Sequence, residues 1–217
     1  MTSPDFSQMR DAMIEGQLRP SGVCDPGLLA VLRDIRRETF VPAAAAALAY
    51  RDAPVEVTTG RFLPSPLVDA RLAAELKPLP SERVLVVGGA TGYLTAILAP
   101  LASHVTHVET DRGLLDRARA AIAAANVDFV EAPLASGHAA GAPYDILVID
   151  GMVEELPQAL VGQLRDGGRI GAVLAGRGEA PSLAVGRLNA GHIGWLRIID
   201  VTTPVLPGFE RAKVFEF

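Results

Sequence analysis

The chain has 217 residues, of which 49% are hydrophobic and 21% are charged, and its formal net charge is −5. This composition provides a substantial core and argues against disorder, while the acidic balance argues against a nucleic-acid partner bound through phosphate neutralisation. The sequence contains no long apolar run and no basic-then-apolar leader, so we expect no membrane partner. The single cysteine, Cys24, excludes an internal disulfide, and together these features predict a cytoplasmic protein.

Residues 1–80 are predicted to form a helical extension, with a substrate loop, that packs on the main domain. Apolar spacing and turn residues predict the following elements there: helices over 5–18, 26–36, 43–49 and 67–76, and short strands in an ordered loop over 52–66. Asp25 is the expected cap of the second helix, with Pro26 at its first position. Arg33, Arg36 and Arg37 are expected to form a solvated basic face.

Residues 81–217 are predicted to form the main domain, in which strands alternate with helices. The expected elements are strands over 84–87, 104–109, 127–130, 144–150 and 169–174, with helices over 92–99, 112–125 and 157–165. Such alternation is typical of an α/β fold with a doubly wound, mostly parallel sheet and helices on both faces. Antiparallel strands within 191–205 and 213–217 would close the sheet.

A glycine-rich turn follows the first strand of this domain. Gly88, Gly89 and Gly92 would let the backbone approach a ligand without a Cβ atom in the way. Ala90 and Tyr93 replace two glycines of a dinucleotide-binding turn, whereas the shorter G-x-G-x-G loop of S-adenosylmethionine enzymes loses only its middle glycine, at Ala90. The turn therefore favours an S-adenosylmethionine site, and a plain strand-to-helix turn is the structural alternative.

Three carboxylates are expected at the carboxyl ends of parallel strands, where ligands of open α/β sheets bind. Glu109 could accept hydrogen bonds from both ribose hydroxyls, or it could instead cap the following helix. Glu131 could contact the adenine, and Asp150 could face the methionine part of the cofactor, the substrate or a metal ion. The histidines are expected on the surface or in loops, without a catalytic role: His104, His107, His138 and His192.

Four phrases carry a family resemblance: residues 17–25 (QLRPSGVCD), 37–42 (RETFVP), 49–52 (AYRD) and 163–169 (QLRDGGR). With them the chain resembles the protein-L-isoaspartate O-methyltransferase family nearly from end to end. The resemblance implies a class I methyltransferase (Rossmann-like) fold, S-adenosylmethionine as cofactor, and proteins or peptides bearing isoaspartyl residues as substrates. Methylation would allow the misplaced carboxylate to cyclise and reopen toward normal aspartate.

The resemblance also identifies departures from the family pattern. The family's substrate loop reads glycine, glutamine, threonine, isoleucine, serine, a variable residue and proline, and here residues 60–66 read GRFLPSP. Pro64 stands at the serine position, and Ser65, one residue along, is the candidate catalytic residue that presents the substrate. Because a shift of one residue reverses the face of an extended segment, Ser65 is not an equivalent replacement. Asp150 adds a negative charge where the family has threonine.

The leading hypothesis is an S-adenosylmethionine-dependent protein carboxyl O-methyltransferase of the isoaspartyl repair type. Its nucleophile would be a carboxylate, which needs no general base, so the protein would mainly supply proximity and orientation. One alternative is a degenerate member that binds a protein or the cofactor without turnover, suggested by Pro64 and Pro133. Another is a metal-assisted small-molecule O-methyltransferase, suggested by Asp150, although no metal ligand set can be assigned.

Overall fold

The computed structural model describes residues 4–176 and 178–212. Within these ranges the α-helices are α1 (Phe6–Met13), α2 (Pro26–Asp34), α3 (Pro66–Leu76), α4 (Tyr93–Leu98), α5 (Arg112–Ala121) and α6 (Gln158–Val161). The strands are β1 (Val55–Thr58), β2 (Arg61–Leu63), β3 (Arg83–Val87), β4 (His104–Glu109), β5 (Val127–Glu131), β6 (Tyr144–Val153), β7 (Leu164–Leu174), β8 (Ser182–Asn189) and β9 (His192–Asp200). None of the helices in the described ranges is both long and apolar enough to cross a membrane.

The main sheet has seven strands in the order β5-β4-β3-β6-β7-β8-β9. The first five of these strands are parallel, and β8 and β9 continue the sheet in antiparallel pairs. The predicted doubly wound, mostly parallel sheet is therefore confirmed. The chain moves outward from β3 through β4 to β5 and then returns to the other side of β3 as β6, which places the topological switch point between β3 and β6.

Two hydrophobic clusters cover the two faces of this sheet. Val84 and Val86 of β3 face the cluster that contains the amino-terminal helices, whereas Leu85 and Val87 face the cluster that contains α6. Strands that are buried on both faces read as continuous apolar runs, which is why β3 is easily recognised in the sequence.

The amino-terminal extension is less regular than its periodicity predicts. The helix expected over 5–18 is α-helical only to Met13 and continues as a π-helical turn to Leu18. The alanine-rich segment Ala43–Leu48 is a 3₁₀ helix. Asp25 caps α2 as predicted, because its side chain accepts a hydrogen bond from the Leu28 N–H at 2.8 Å.

The carboxyl-terminal half contains two corrections. The helix predicted over 157–165 is wrong beyond its first turn, because α6 ends at Val161 and Leu164 already pairs with Tyr144 in the sheet. The first antiparallel strand, β8, lies before the segment predicted for it, and β9 lies within that segment. The strand predicted over 213–217 lies outside the described residues.

Candidate active site

The candidate site lies at the carboxyl ends of β3, β4 and β6, around the switch point. Gly88 follows β3, Glu109 ends β4, and Asp150 lies in β6 beside them. Ligands of open α/β folds bind in the crevice outside such strand ends. The sheet therefore brings three of the predicted cofactor residues to one place.

The glycine turn has the backbone geometry that its sequence predicts. Gly88 has a φ of 75° and Gly92 a φ of 95°, both in the left-handed region that favours glycine. A Cβ atom on Gly92 would lie 2.6 Å from the Ile122 Cδ1 atom and 3.1 Å from the Ala118 Cβ atom of α5, so a larger residue would force these side chains to shift. The Gly88 N–H donates to the Val108 carbonyl at 2.9 Å, which ties the turn to β4.

Glu109 is fully buried and held by the backbone around it. Its Oε1 atom accepts hydrogen bonds from the Thr110 and Asp111 N–H groups at 2.8 and 3.1 Å, and its Oε2 atom accepts one from Ala90 at 3.1 Å. The residue that caps the following helix is Asp111 and not Glu109, because the Asp111 side chain accepts a hydrogen bond from the Leu114 N–H at 3.0 Å. Glu109 is thus a fixed carboxylate that faces the turn, the arrangement required to hold a ribose.

Arg61 of the β1–β2 hairpin covers this carboxylate. Its two terminal nitrogens donate to Oε1 and Oε2 of Glu109 at 2.5 and 2.7 Å, and one of them also reaches the Gly88 carbonyl at 3.3 Å. The Arg61 side chain is 8% exposed and that of Glu109 is 0% exposed. A two-pronged guanidinium–carboxylate pair is among the strongest charge-assisted contacts in proteins.

Leu206 covers the glycine turn from the other side. A Cβ atom on Gly88 would lie 2.6 Å from the Leu206 Cδ2 atom, so the close approach that glycine permits is used by the protein's own side chain. Leu206 is held in place because its N–H donates to the Met152 carbonyl at 2.9 Å, while the Met152 N–H donates to Pro204 at 3.2 Å.

Little space remains between these two covers. The cavity bounded by 60–62, Asp150, Gly151 and 203–207 measures about 10 Å³, enough for roughly one water molecule, whereas ligand pockets measure about 300–1,000 Å³. A larger cavity of about 480 Å³ is lined by residues of 34–40, 96–100 and 121–126, and none of the carboxylates at the strand ends lines it.

S-adenosylmethionine fits the chemistry of this site but requires side chains to move. The Glu109 carboxylate and the glycine turn are the groups that a ribose needs, at the switch point where it would lie. In this conformation Arg61 takes the hydrogen-bonding positions of the ribose hydroxyls, and Leu206 fills the space above Gly88.

Asp150 belongs to a buried cluster beneath the crevice. Both of its oxygens, and Oδ1 of Asp69, have no hydrogen-bond donor among the described residues. Burial and the neighbouring Asp69 charge raise the pKa of Asp150 well above its usual range, and burial raises the pKa of Asp69 to about 6 against the opposing effect of Arg37. A proton held on Asp150 supplies a donor for this carboxyl pair.

Arg37 compensates the charge of this cluster. It is fully buried, donates to Asp69 at 2.9 Å and to the Ala49 carbonyl at 2.7 Å, and also donates to the Pro64 carbonyl. Its guanidinium carbon lies 4.2 Å from the ring centroid of Tyr93. The predicted solvated position of Arg37 is therefore wrong: the residue joins the extension, the substrate loop and α4 of the main domain.

Among the described residues, the other two predicted site residues make no hydrogen bond to Glu109 or Asp150, although Glu131 pairs with Glu109 in the register of β5 and β4. Glu131 is exposed and contacts Arg112 at 3.4 Å. Ser65 is buried at the N-cap of α3, where its side chain makes no capping hydrogen bond. In the described ranges, no three His, Cys, Asp or Glu side chains are grouped as a metal site would need.

Sequence reasoning missed Arg61 and misplaced His107. Arg61 lies in the segment predicted to be a substrate loop. Its pairing with Glu109, 48 residues further along the chain, can be recognised only when the β1–β2 hairpin is placed over the end of β4. His107 is fully buried in β4, where its Nδ1 atom lies 2.7 Å from the Thr95 hydroxyl and burial lowers its pKa to about 4. The sequence signal for its burial is its position between Thr106 and Val108, inside the strand predicted over 104–109.

Comparison with known proteins gives a consistent result. The profile of the family "Protein-L-isoaspartate(D-aspartate) O-methyltransferase (PCMT)" matches residues 8–182. Protein-L-isoaspartate O-methyltransferase 1 of Rhodopseudomonas palustris is 38% identical over 168 residues, covering 76% of this chain and 69% of that protein. The enzyme of the same name from Herpetosiphon aurantiacus is 32% identical over 215 residues and covers 95% of both chains.

Solved structures share the fold. A protein-L-isoaspartate O-methyltransferase structure superposes with a TM-score of 0.77 at 21% identity, over 92% of this chain and 66% of that one. A structure from Plasmodium falciparum, named as a candidate protein-L-isoaspartate O-methyltransferase in complex with S-adenosyl-L-homocysteine, gives 0.74 at 19% identity, over 94% and 99% of the two chains. The expected class I methyltransferase fold is confirmed, and this chain belongs to the protein-L-isoaspartate(D-aspartate) O-methyltransferase family.

Proposed function

We propose that this protein is an S-adenosylmethionine-dependent protein carboxyl O-methyltransferase that acts on isoaspartyl residues in the cytoplasm. The observation that carries the proposal is the family match over residues 8–182, which includes the glycine turn and Glu109 at the switch point. The relatives at 32–38% identity carry the same enzyme name.

The cofactor would supply an activated methyl group beside the crevice. Glu109 would hold the ribose through hydrogen bonds, and the turn at Gly88, Gly89 and Gly92 would lie against the adenosyl group. Asp150 would border the methionine part, and a protonated Asp150 would avoid repelling the substrate carboxylate. Ser65 and the 60–66 loop would present the substrate, while Glu131, exposed at the end of β5, would contact the adenine edge.

Methyl transfer to an isoaspartyl peptide tests this proposal. The protein is incubated with labelled S-adenosylmethionine and either an isoaspartyl peptide or the same peptide with normal aspartate. We expect label on the isoaspartyl peptide alone, and less of it in Glu109→Gln, which removes the charge that holds the ribose. Equal, background-level label on both peptides would reject the proposal.

A second function is favoured by the Arg61–Glu109 pair and by Leu206. A family member whose crevice is filled by its own side chains could act as a protein-binding module without turnover. Calorimetric titration with S-adenosylhomocysteine separates the two functions. An enzyme must bind this product, whereas a protein that has lost the cofactor site shows no binding heat at millimolar product.

A further inference from the structure

Arg61 is placed over Glu109 by a short hairpin rather than by the sheet that carries the carboxylate. The hairpin pairs Val55 with Leu63 and Glu56 with Phe62, and it is fastened to α5 where Arg117 donates to the Val57 carbonyl at 3.0 Å. Its strands have four and three residues and make no ladder with the main sheet. A small element with few backbone bonds can move at lower cost than the sheet beneath it.

We propose that Arg61 is an internal competitor of the cofactor, which sets how tightly this protein binds an adenosyl group. Its guanidinium uses both oxygens of Glu109 and the Gly88 carbonyl, the groups that a ribose diol would contact. The guanidinium and the ribose cannot hold the same carboxylate oxygens at once. The inference deepens the proposed function and rests on it, because it concerns the same crevice.

The charge of Arg61 strengthens this competition for the methyl donor. S-adenosylmethionine carries a sulfonium cation, which Glu109 attracts and an adjacent guanidinium repels. The sequence pattern that the resemblance implies has glutamine at the position of Arg61, and a glutamine side chain is neutral and cannot form the two-pronged pair. A single residue therefore converts the acid of the crevice from a ligand-binding group to half of an ion pair.

Leu206 covers the other side of the crevice, and its segment is held by hydrogen bonds that do not involve Arg61. Its segment is bound to β6 through Met152, and Phe209 accepts hydrogen bonds from the Glu154 and Glu155 N–H groups, each at 3.0 Å. Phe209 itself is fully buried. Opening the crevice thus requires the hairpin to lift and the Leu206 side chain to rotate, while the 203–209 segment stays in place.

The apparent affinity for a ligand is lower when a smaller fraction of the protein molecules is open to it. Destabilising the closed conformation should therefore raise the affinity for the ligand without adding any contact between the protein and the ligand. We expect Arg61→Gln to bind S-adenosylhomocysteine at least about tenfold more tightly than the unmodified protein, measured by isothermal titration calorimetry. Adding Glu109→Gln to Arg61→Gln should abolish the gain, because the ribose then loses its carboxylate.

Arg119→Gln is the matched control, because it removes an arginine from α5 that contacts Asp116 and the Phe129 carbonyl and neither the hairpin nor Glu109. Its affinity for S-adenosylhomocysteine should equal that of the unmodified protein. Arg61→Lys keeps the positive charge but cannot form the two-pronged pair, so it should give a smaller gain and serves if Arg61→Gln does not fold. Unchanged affinity in a folded Arg61→Gln or Arg61→Lys variant, or an equal gain in Arg119→Gln, would overturn the inference.

Methyl transfer by the same variants separates this inference from the proposed function. If Arg61→Gln binds the product tightly and still leaves isoaspartyl peptides unmodified, the competition is supported and the proposed activity falls. If the unmodified protein methylates isoaspartyl peptides and Arg61→Gln binds no more tightly, the activity stands and the competition is wrong.

Discussion

At the scale of single residues, the crevice contains two buried acids whose surroundings differ: one has hydrogen-bond donors and the other has none among the described residues. Glu109 accepts three backbone N–H groups and the Arg61 guanidinium, so its charge is compensated. Asp150 has no such donors, and burial together with the charge of Asp69 raises its pKa. A buried carboxyl without donors holds its proton to higher pH than a carboxyl in water does.

Asp150→Asn should therefore stabilise the protein, and more so at higher pH. In the folded chain Asp150 keeps its proton above the pKa of about 3.9 that an unfolded aspartate has, so the wild-type free energy of unfolding falls as pH rises through the folded pKa. Asparagine does not titrate. We expect a difference of about 1–3 kcal/mol in favour of Asp150→Asn at pH 8, shrinking toward pH 4, in urea unfolding followed by circular dichroism.

The exposed Asp52→Asn is the control for this pH dependence. It removes the same charge from the surface and should shift the unfolding free energy by less than about 0.5 kcal/mol at either pH. An Asp150→Asn variant that is less stable than the unmodified protein at pH 8 would mean that the Asp150 carboxylate is ionised and paired.

At the scale of elements, the return of the chain from α6 to β7 depends on one buried amide. The Gln163 side chain donates to the Ser136 and Ala159 carbonyls at 2.7 and 3.0 Å and accepts the His138 N–H at 2.8 Å. The Tyr144 N–H donates to the Gln163 carbonyl at 2.9 Å, so the same residue begins the pairing of β6 with β7. This arrangement explains why the predicted helix stops early.

Gln163→Leu should destabilise the protein by about 1–3 kcal/mol, because it removes three part-buried hydrogen bonds of the Gln163 amide, with the His138 N–H and with the Ser136 and Ala159 carbonyls. Thermal unfolding monitored by circular dichroism measures the loss. Gln158→Leu changes the same residue type at an exposed position of α6 and should change stability by less than about 0.5 kcal/mol. Equal stability of the two variants would show that the Gln163 hydrogen bonds are dispensable.

At the scale of the whole molecule, the extension and the sheet share one hydrophobic cluster. Leu18, Leu32 and Phe40 belong to the same buried cluster as Val84 and Ile146 of the sheet. We propose that the chain folds as a single cooperative unit, although the sequence pattern divides it into residues 1–80 and 81–217. An isolated sheet would expose one entire apolar face to water.

A chain of residues 81–217 should therefore fail to fold cooperatively. We expect it to lack the sigmoidal thermal transition of the full chain and to show poorly dispersed amide resonances by nuclear magnetic resonance. A truncated chain that unfolds cooperatively within a few degrees of the full protein would instead establish 81–217 as an autonomous domain.

Much of the fold was readable from the sequence because its signals are local. The apolar run of β3 and the capping residue Asp25 depend on near neighbours in the chain, and the structure places both in their predicted elements. The π-helical turn before Leu18 and the early end of α6 depend on contacts with distant segments. Periodicity carries no information about those contacts.

The sequence by itself determined the family, the parallel sheet and the gathering of Gly88, Glu109 and Asp150 at the switch point. The family follows from the resemblance of four sequence phrases, whereas the sheet and this gathering follow from strand order and local backbone preference. Only the tertiary structure decided what faces those residues: Arg61 on Glu109, Leu206 on Gly88, and Asp69 beside Asp150. Each of these contacts joins segments far apart in the chain, and the cost of burying a charge appears only when its partners are known.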